Sequence, residues 1–306
     1  MGEELKIAAL PLDIVWADVA RNIDMVDEKL SALPEGTDIV VLPEMFSTGF
    51  IQDEQLLASM ADAAFRQSLD AVVRWSRQYD VAVAGSVLAR ENGCYFNRGF
   101  FAEPDGTVTF YDKRHLFCLS AESRVYTRGS ELPPVVQFRG WDVMLLVCYD
   151  LRFPVWCRRE GATYDVLLVV ANWAAARGYA FRQLLIARAI ENQAVVVGCN
   201  RSGHDDYGDY DYQSYIFDPF GYELAPDAVV RNSKVTPHAE DTARCGEKFS
   251  GAPDDFITAV YTKAQLQKVR SYLPVGRDAD DFKVIFKHSF RATSESEAAG
   301  GNQACL

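Results

Sequence analysis

Several short runs in this 306-residue chain are apolar on both faces, and they restrict the possible folds more than any other feature. LKIAALPL (5–12), TDIVVLPE (37–44), VAVAGSVL (81–88), DVLLVVANW (165–173) and AVVVGCN (194–200) lack the polar alternation of a half-solvated strand. Strands of this kind need cover on both sides, which calls for sheets with a further layer against each face. Helical stretches separate the runs. Val19, Ile23, Val26, Leu30 and Leu33 recur at helical spacing, Asp18 stands where an N-cap belongs, and Pro34-Glu35-Gly36 stops the helix. A second helix is expected over 62–79 (Leu69, Val72, Val73, Tyr79) and a third over 179–193 (Phe181, Leu185, Ala189).

Hairpins interrupt this alternation. Residues 93–111 read as two strands turning at Pro104-Asp105-Gly106, 135–148 as two broken at Arg139-Gly140, and 214–224 as a hairpin turning at Asp218-Pro219-Phe220-Gly221. The fold class is therefore α/β, with mixed sheets covered by helices rather than one parallel doubly wound sheet. Residues 1–288 are expected to form a single domain. Within it the polar, strand-poor 225–255 forms a surface excursion, and 289–306, rich in Ser, Glu, Ala and Gly, is a mobile tail.

Composition excludes several functions. A formal net charge of −12 is a poor footprint for nucleic acid or an anionic membrane. The first ten residues lack the basic start of a signal peptide, and no apolar run approaches the roughly 18 residues of a membrane span. The seven cysteines include no C-x-x-C pair, and the four histidines no H-x-x-x-H. HDDYGDYDY (204–212) does not follow the order of a calcium loop and reads as solvated. The expectation is a cytoplasmic, soluble protein with reduced cysteines and neither a zinc nor a calcium site.

Three positions close very apolar strands: Glu44, Cys148, and the pair Asn172-Trp173. Polar groups beyond the carboxyl ends of strands in α/β sheets are placed for chemistry. Taken singly, Glu44 reads equally as a solvated acid, Cys148 as an inert core thiol and Lys113 as a surface cation. Together they offer more. A thiol beside a carboxylate and an ammonium can pass its proton to the acid, and the ammonium can stabilise an oxyanion.

LPEMFSTGF (42–50), YDKRHLF (111–117) and VCYDLRFP (147–154) resemble the three signature segments of the nitrilase superfamily of carbon–nitrogen hydrolases. The wording is most similar to the omega-amidase, or 2-oxoglutaramate amidase, branch. The resemblance spans about 5–224 and resumes at 256–285. It implies a four-layer αββα sandwich, a homodimer or higher homo-oligomer joined through a helical face, and no cofactor. It makes Cys148 the nucleophile, Glu44 the general base and acid, Lys113 the oxyanion cation, and Glu122 a second carboxylate holding the lysine, with Tyr126 and Gly129 at the branch's spacing. The implied reaction hydrolyses the terminal amide of a small carboxylate-bearing substrate to acid and ammonia, with water as co-substrate. 2-Oxoglutaramate is favoured; deaminated glutathione or an N-carbamoyl amino acid is the runner-up, and a catalytically silent binding protein the remote alternative. Arg177 is offered as the cation for the distal carboxylate, Phe46 as a pocket wall, and Tyr149 and Trp173 as further pocket residues. His115, two residues from Lys113, is the rival base. Asp150 and Arg152 read as an ion pair bracing the nucleophile turn, and Arg188 and Glu191 as scaffold.

Overall fold

A computed structural model describes residues 4–158, 163–210, 213–224 and 256–286, so the expected excursion at 225–255 and tail at 289–306 lie outside the described residues. The strands run β1 (Glu4–Ala9), β2 (Ile39–Val41), β3 (Ala82–Glu91), β4 (Cys94–Ala102), β5 (Val108–Asp112), β6 (Val135–Phe138), β7 (Trp141–Val147), β8 (Val166–Ala171), β9 (Val195–Asn200), β10 (Gly203–Asp205), β11 (Gly208–Tyr210), β12 (Tyr215–Phe217) and β13 (Ile257–Thr262). The helices are α1 (Val19–Leu30), α2 (Glu54–Tyr79), α3 (Glu122–Val125), α4 (Pro154–Cys157), α5 (Gly178–Asn192), α6 (Lys263–Tyr272) and α7 (Val275–Asp278). They build a six-stranded sheet, β13-β1-β2-β3-β4-β5, and a five-stranded sheet, β12-β9-β8-β7-β6. In each, three central strands are parallel and the flanking strands antiparallel.

The apolar runs occupy the middle of this stack for the expected reason. Ile39 and Val41 of β2, with Ala82 and Ala84 of β3, join the core shared by both sheets. Val40 and Val83, pointing the other way, pack under α1 and α2 with Val26, Leu30, Val72 and Trp75. α5 covers the second sheet through Phe181, Leu185 and Ala189. A Cβ at residue 198 would lie 2.4 Å from Leu185 Cδ1, so Gly198 lets this helix settle onto β9. Four layers, αββα, result.

The structure corrects some boundaries. α2 begins at Glu54, eight residues before the expected start, because Asp53 caps Leu56 N–H and the Ala-rich first turns bury Leu57 and Ala61. α1 stops at Leu30 rather than continuing to Leu33. The expected hairpin at 214–224 forms at the edge of the second sheet: β12 pairs with β9, and the return pairs back on it through the Phe217–Glu223 bridge, Asp218 N–H to Tyr222 O at 2.9 Å and Leu224 N–H to Ile216 O at 2.8 Å. Asp218 accepts from the N–H groups of Phe220 and Tyr222 and holds a tight turn there. The segment expected to be a solvated loop at 204–212 contains the hairpin β10–β11, whose Asp205 is buried against Arg201 at 2.6 Å. No helix among the described residues is long and apolar enough to cross a membrane.

Candidate active site

The carboxyl ends of β2, β5, β7 and β8 converge on one cavity of about 260 Å3. Glu44, Lys113, Cys148 and Glu122 all line it, although 69 residues separate Glu44 from Lys113. Three of them are almost sealed: Glu44 is 1% exposed, Lys113 2% and Glu122 0%.

Each side chain is aimed by a local device. After β2 the chain turns sharply at Met45 (φ 51°), whose N–H donates to Ser86 Oγ at 2.9 Å. Cys148 itself has φ 48°, a left-handed conformation that costs a non-glycine residue about 1–3 kcal/mol and is characteristic of functional turns. Lys113 is held through its backbone: its N–H donates to Asn97 O, and its carbonyl accepts from Gly129 N–H, both at 3.0 Å. A Cβ at residue 129 would sit 2.0 Å from the Asp112 carbonyl oxygen, so only glycine permits this approach. Tyr126 donates to Ile51 O at 2.7 Å and stacks on Phe50, which lines the cavity.

Glu44 Oε1 accepts from Lys113 Nζ at 2.9 Å and from Asn97 Nδ2 at 2.7 Å. Its Oε2 accepts from Asn172 N–H at 2.7 Å, and Asn172 Nδ2 donates to the Glu44 carbonyl at 2.7 Å. Lys113 Nζ lies 2.8 Å from Glu122 Oε1, while Glu122 Oε2 accepts from Phe117 N–H at 2.6 Å. The ammonium thus sits between two carboxylates. Burial opposes its charge, but Glu122 and Glu44 outweigh burial and hold its pKa well above the usual lysine range. Burial raises the pKa of Glu122, as does Glu44, against the pull of Lys113. Burial and Glu44 together push the Cys148 thiol well above its ordinary value, with Lys113 opposing. The resting thiol is therefore protonated, and a nucleophilic attack by it needs a base in the same step.

Most of the expected pocket residues are where the sequence put them. Tyr149, Trp173 and Arg177 line the cavity. Phe46 does not: it is fully buried in the α2-side core against Trp75 and Phe100, because the turn at Met45 sends it away from the site. Phe50 supplies that wall instead. The expected Asp150–Arg152 ion pair is absent among the described residues. Asp150 bonds Tyr111 and His115, and the guanidinium of Arg152 lies over the Trp173 ring at 4.9 Å and lines the cavity. Arg188 does serve the scaffold, donating to Leu151 O and pairing with Glu191 at 3.0 Å. The sequence reading missed Gln52, Arg152, Tyr207 and Tyr210 as lining residues. The aromatic spacing in HDDYGDYDY was the available signal for the last two. No cluster of potential metal ligands occurs among the described residues.

The family model described as carbon-nitrogen hydrolase matches residues 6–227. Omega-amidase YafV of Escherichia coli K12 is 39% identical over 285 residues, covering 92% of this chain and 98% of that protein. The 2-oxoglutaramate amidase of Bacillus subtilis is 34% identical over 224 residues, covering 72% and 85%. Among solved structures, a CN-hydrolase superfamily protein of Xanthomonas campestris with an arsenic adduct in its active site superposes with a TM-score of 0.77 at 32% identity, covering 92% of this chain and 99% of that one.

Proposed function

We propose that this chain, which belongs to the carbon–nitrogen hydrolase family and is an amidase, hydrolyses the terminal amide of a small carboxylate-bearing substrate, with 2-oxoglutaramate the leading candidate. The convergence of a strained, buried Cys148 with Glu44 and Lys113 in one cavity carries this reading. Cys148 Sγ attacks the amide carbon as Glu44 takes the thiol proton. The resulting oxyanion faces Lys113 Nζ and the backbone N–H of Tyr149. Collapse breaks the C–N bond, Glu44 returns the proton to nitrogen, and ammonia departs from a thioester. Glu44 then removes a proton from water attacking the thioester, and the proton passes back to sulfur as the acid leaves. Glu122 keeps the ammonium in place throughout.

A cavity of about 260 Å3 is slightly below the ~300–1,000 Å3 typical of drug-sized ligands, which favours a short substrate over deaminated glutathione. Arg177, over the Phe117 ring at 5.1 Å, and Arg152 line the cavity and have no acidic partner among the described residues. They support a carboxylate at the substrate's far end. We read the assembly as a cytoplasmic homodimer, with exposed Val155 and Ile190 supporting a covered helical face. The test is ammonia release from 2-oxoglutaramate, a neutral amide of equal length, a nitrile and an N-carbamoyl amino acid. Equal turnover of the neutral amide would remove the carboxylate from the substrate definition.

A further inference from the structure

One buried carboxylate beside the site has no part in the chemistry above. Asp150, two residues after Cys148, is fully buried. Its Oδ2 accepts from the Tyr111 hydroxyl at 2.7 Å and from Val147 N–H at 3.4 Å. Its Oδ1 accepts from His115 N–H at 2.9 Å and lies 2.8 Å from His115 Nδ1. A carboxylate only accepts, so this pairing assigns the His115 proton to Nδ1.

The positions of these partners matter more than their number. Tyr111 and His115 stand two residues before and two residues after Lys113, and Val147 immediately precedes Cys148. One carboxylate therefore fastens the nucleophile turn to both flanks of the segment that carries the cation. The joint is completed on both sides. Tyr111 Oη accepts from Trp156 Nε1 at 2.8 Å and from Arg114 N–H at 3.3 Å while donating to Asp150, which uses its full hydrogen-bonding capacity. The His115 ring stacks on Phe153 at 3.6 Å and meets Trp156 edge-on at 5.2 Å. Phe153 and Trp156 both follow the nucleophile turn, so the two segments are locked by polar and aromatic contacts together.

We propose that Asp150 is a positioning residue for the hydrolysis: through Tyr111 and His115 it sets the separation between the Cys148 thiol and the Lys113 ammonium. The inference rests on the roles given to those two residues above. A misplacement of about 1 Å in an attacking group costs on the order of 10²-fold in rate. A residue that only braced the fold would lower the melting temperature and leave the folded enzyme's kcat unchanged.

The experiment compares wild type, Asp150→Asn, Tyr111→Phe, His115→Gln and the Asp150→Asn double variants on the best ω-amide, with thermal melts alongside. Asp150→Asn keeps the shape but turns an NH2 group toward groups that donate. Expected is a kcat lower by about 10²-fold in folded protein, with KM held within about twofold. Tyr111→Phe and His115→Gln should each lower kcat and add little once residue 150 is Asn, because all three act through one joint. A folded Asp150→Asn with wild-type kcat, a change in KM alone, or fully additive losses would each overturn the proposal. Should Asp150→Asn fail to fold, the folded Tyr111→Phe/His115→Gln pair decides: a lowered kcat at constant KM supports the joint, and wild-type kcat overturns it. Cys148→Ala runs in parallel. If it stays active, the underlying assignment fails; if it is dead while Asp150→Asn is normal, only this inference does.

Discussion

Replacing Lys113 by Met removes the charge and keeps most of the side chain's volume, so its effects can be worked out from the site. Lys113 is 2% exposed and lies 2.9 Å from Glu44 Oε1 and 2.8 Å from Glu122 Oε1. Without it two carboxylates face each other in a sealed site. Removing one partner of a buried ion pair costs about 3–5 kcal/mol. At about 2 cal/mol/K of unfolding entropy per residue over 306 residues, that is a Tm lower by about 5–8 °C. The deficit should also depend on pH, with a defined sign. The folded pKa of Glu122 is already raised by burial and by Glu44, and losing Lys113 removes the main opposing influence. A carboxyl whose folded pKa exceeds the unfolded value of about 4.3 contributes stability through proton uptake. That contribution is complete below the unfolded value and is lost as pH rises through the folded one. The wild-type lysine follows the same sign at higher pH: its pKa is raised, so its contribution is fully present below about pH 10 and constant across the assay range. The Tm deficit of Lys113→Met should therefore be largest at pH 8 and shrink toward pH 5.5. Scanning fluorimetry at both pH values reads this directly. On activity, loss of an oxyanion donor should cost about 10²–10³-fold in kcat. A deficit equal at both pH values would refute the picture of two carboxylates competing for one buried cation. A variant keeping half the wild-type kcat would take Lys113 out of the chemistry.

Three further outcomes follow from the same geometry. Cys148→Ala should abolish ammonia release without loss of fold, whereas Cys157→Ala should keep it, since burial pushes Cys157 up to about 12 and its thiol, outside the cavity, is held by the Asp150 and Leu151 carbonyls and by Arg188; the reverse pattern would transfer the nucleophile. Glu44→Gln should be nearly inactive on amides and, mixed with an activated ester, should accumulate an acyl adduct on Cys148 visible by intact-mass spectrometry; rapid multiple turnover would bring His115 forward as the base. Arg177→Gln should raise KM for the anionic amide by about 10–100-fold, the worth of a charged hydrogen bond, with little change in kcat; an equal loss on the neutral amide would deny it the carboxylate.

The parts of the fold written in local periodicity were legible in the chain. The hairpins at Pro104-Asp105-Gly106 and Arg139-Gly140 form where expected, and Asp18 caps α1 by accepting from Arg21 N–H at 3.0 Å. Local periodicity does not report direction after a sharp turn. Phe46 looked like a pocket wall because it follows Glu44 closely, but the positive φ at Met45 turns it into the core. Nor does it report which charges meet. Asp150 and Arg152 are neighbours in sequence, yet the short helical turn after Cys148 sends the acid inward to Tyr111 and His115 and the guanidinium outward over Trp173. β10 and β11 were missed because three-residue strands rich in Asp and Gly carry almost no strand signal, although Tyr207 and Tyr210 close one side of the cavity. Glu122 could be singled out only through the family resemblance. Its pairing with Lys113 is built by a loop, with no periodic pattern to announce it.

The site's logic is clearest in the accounting around Glu44. A carboxylate offers about four acceptor directions. On Oε1 both are taken, by Lys113 Nζ and Asn97 Nδ2, and on Oε2 one is taken by Asn172 N–H. Asn97 and Lys113 come from the first sheet and its edge, and Asn172 closes a strand of the second, so the carboxylate is pinned from both halves of the sandwich. A single direction is left, on Oε2, and the Cys148 thiol lies within reach of Glu44 in the same cavity. A base with one opening can take up one proton, from one place, and return it only along the same line. On the proposed mechanism, the nitrogen of the departing ammonia and the water attacking the thioester would meet Glu44 at that same open direction. On the proposed mechanism, this arrangement would let one glutamate serve three proton transfers in turn, while Glu122, bonded to Phe117 N–H on its other oxygen, holds the ammonium in place.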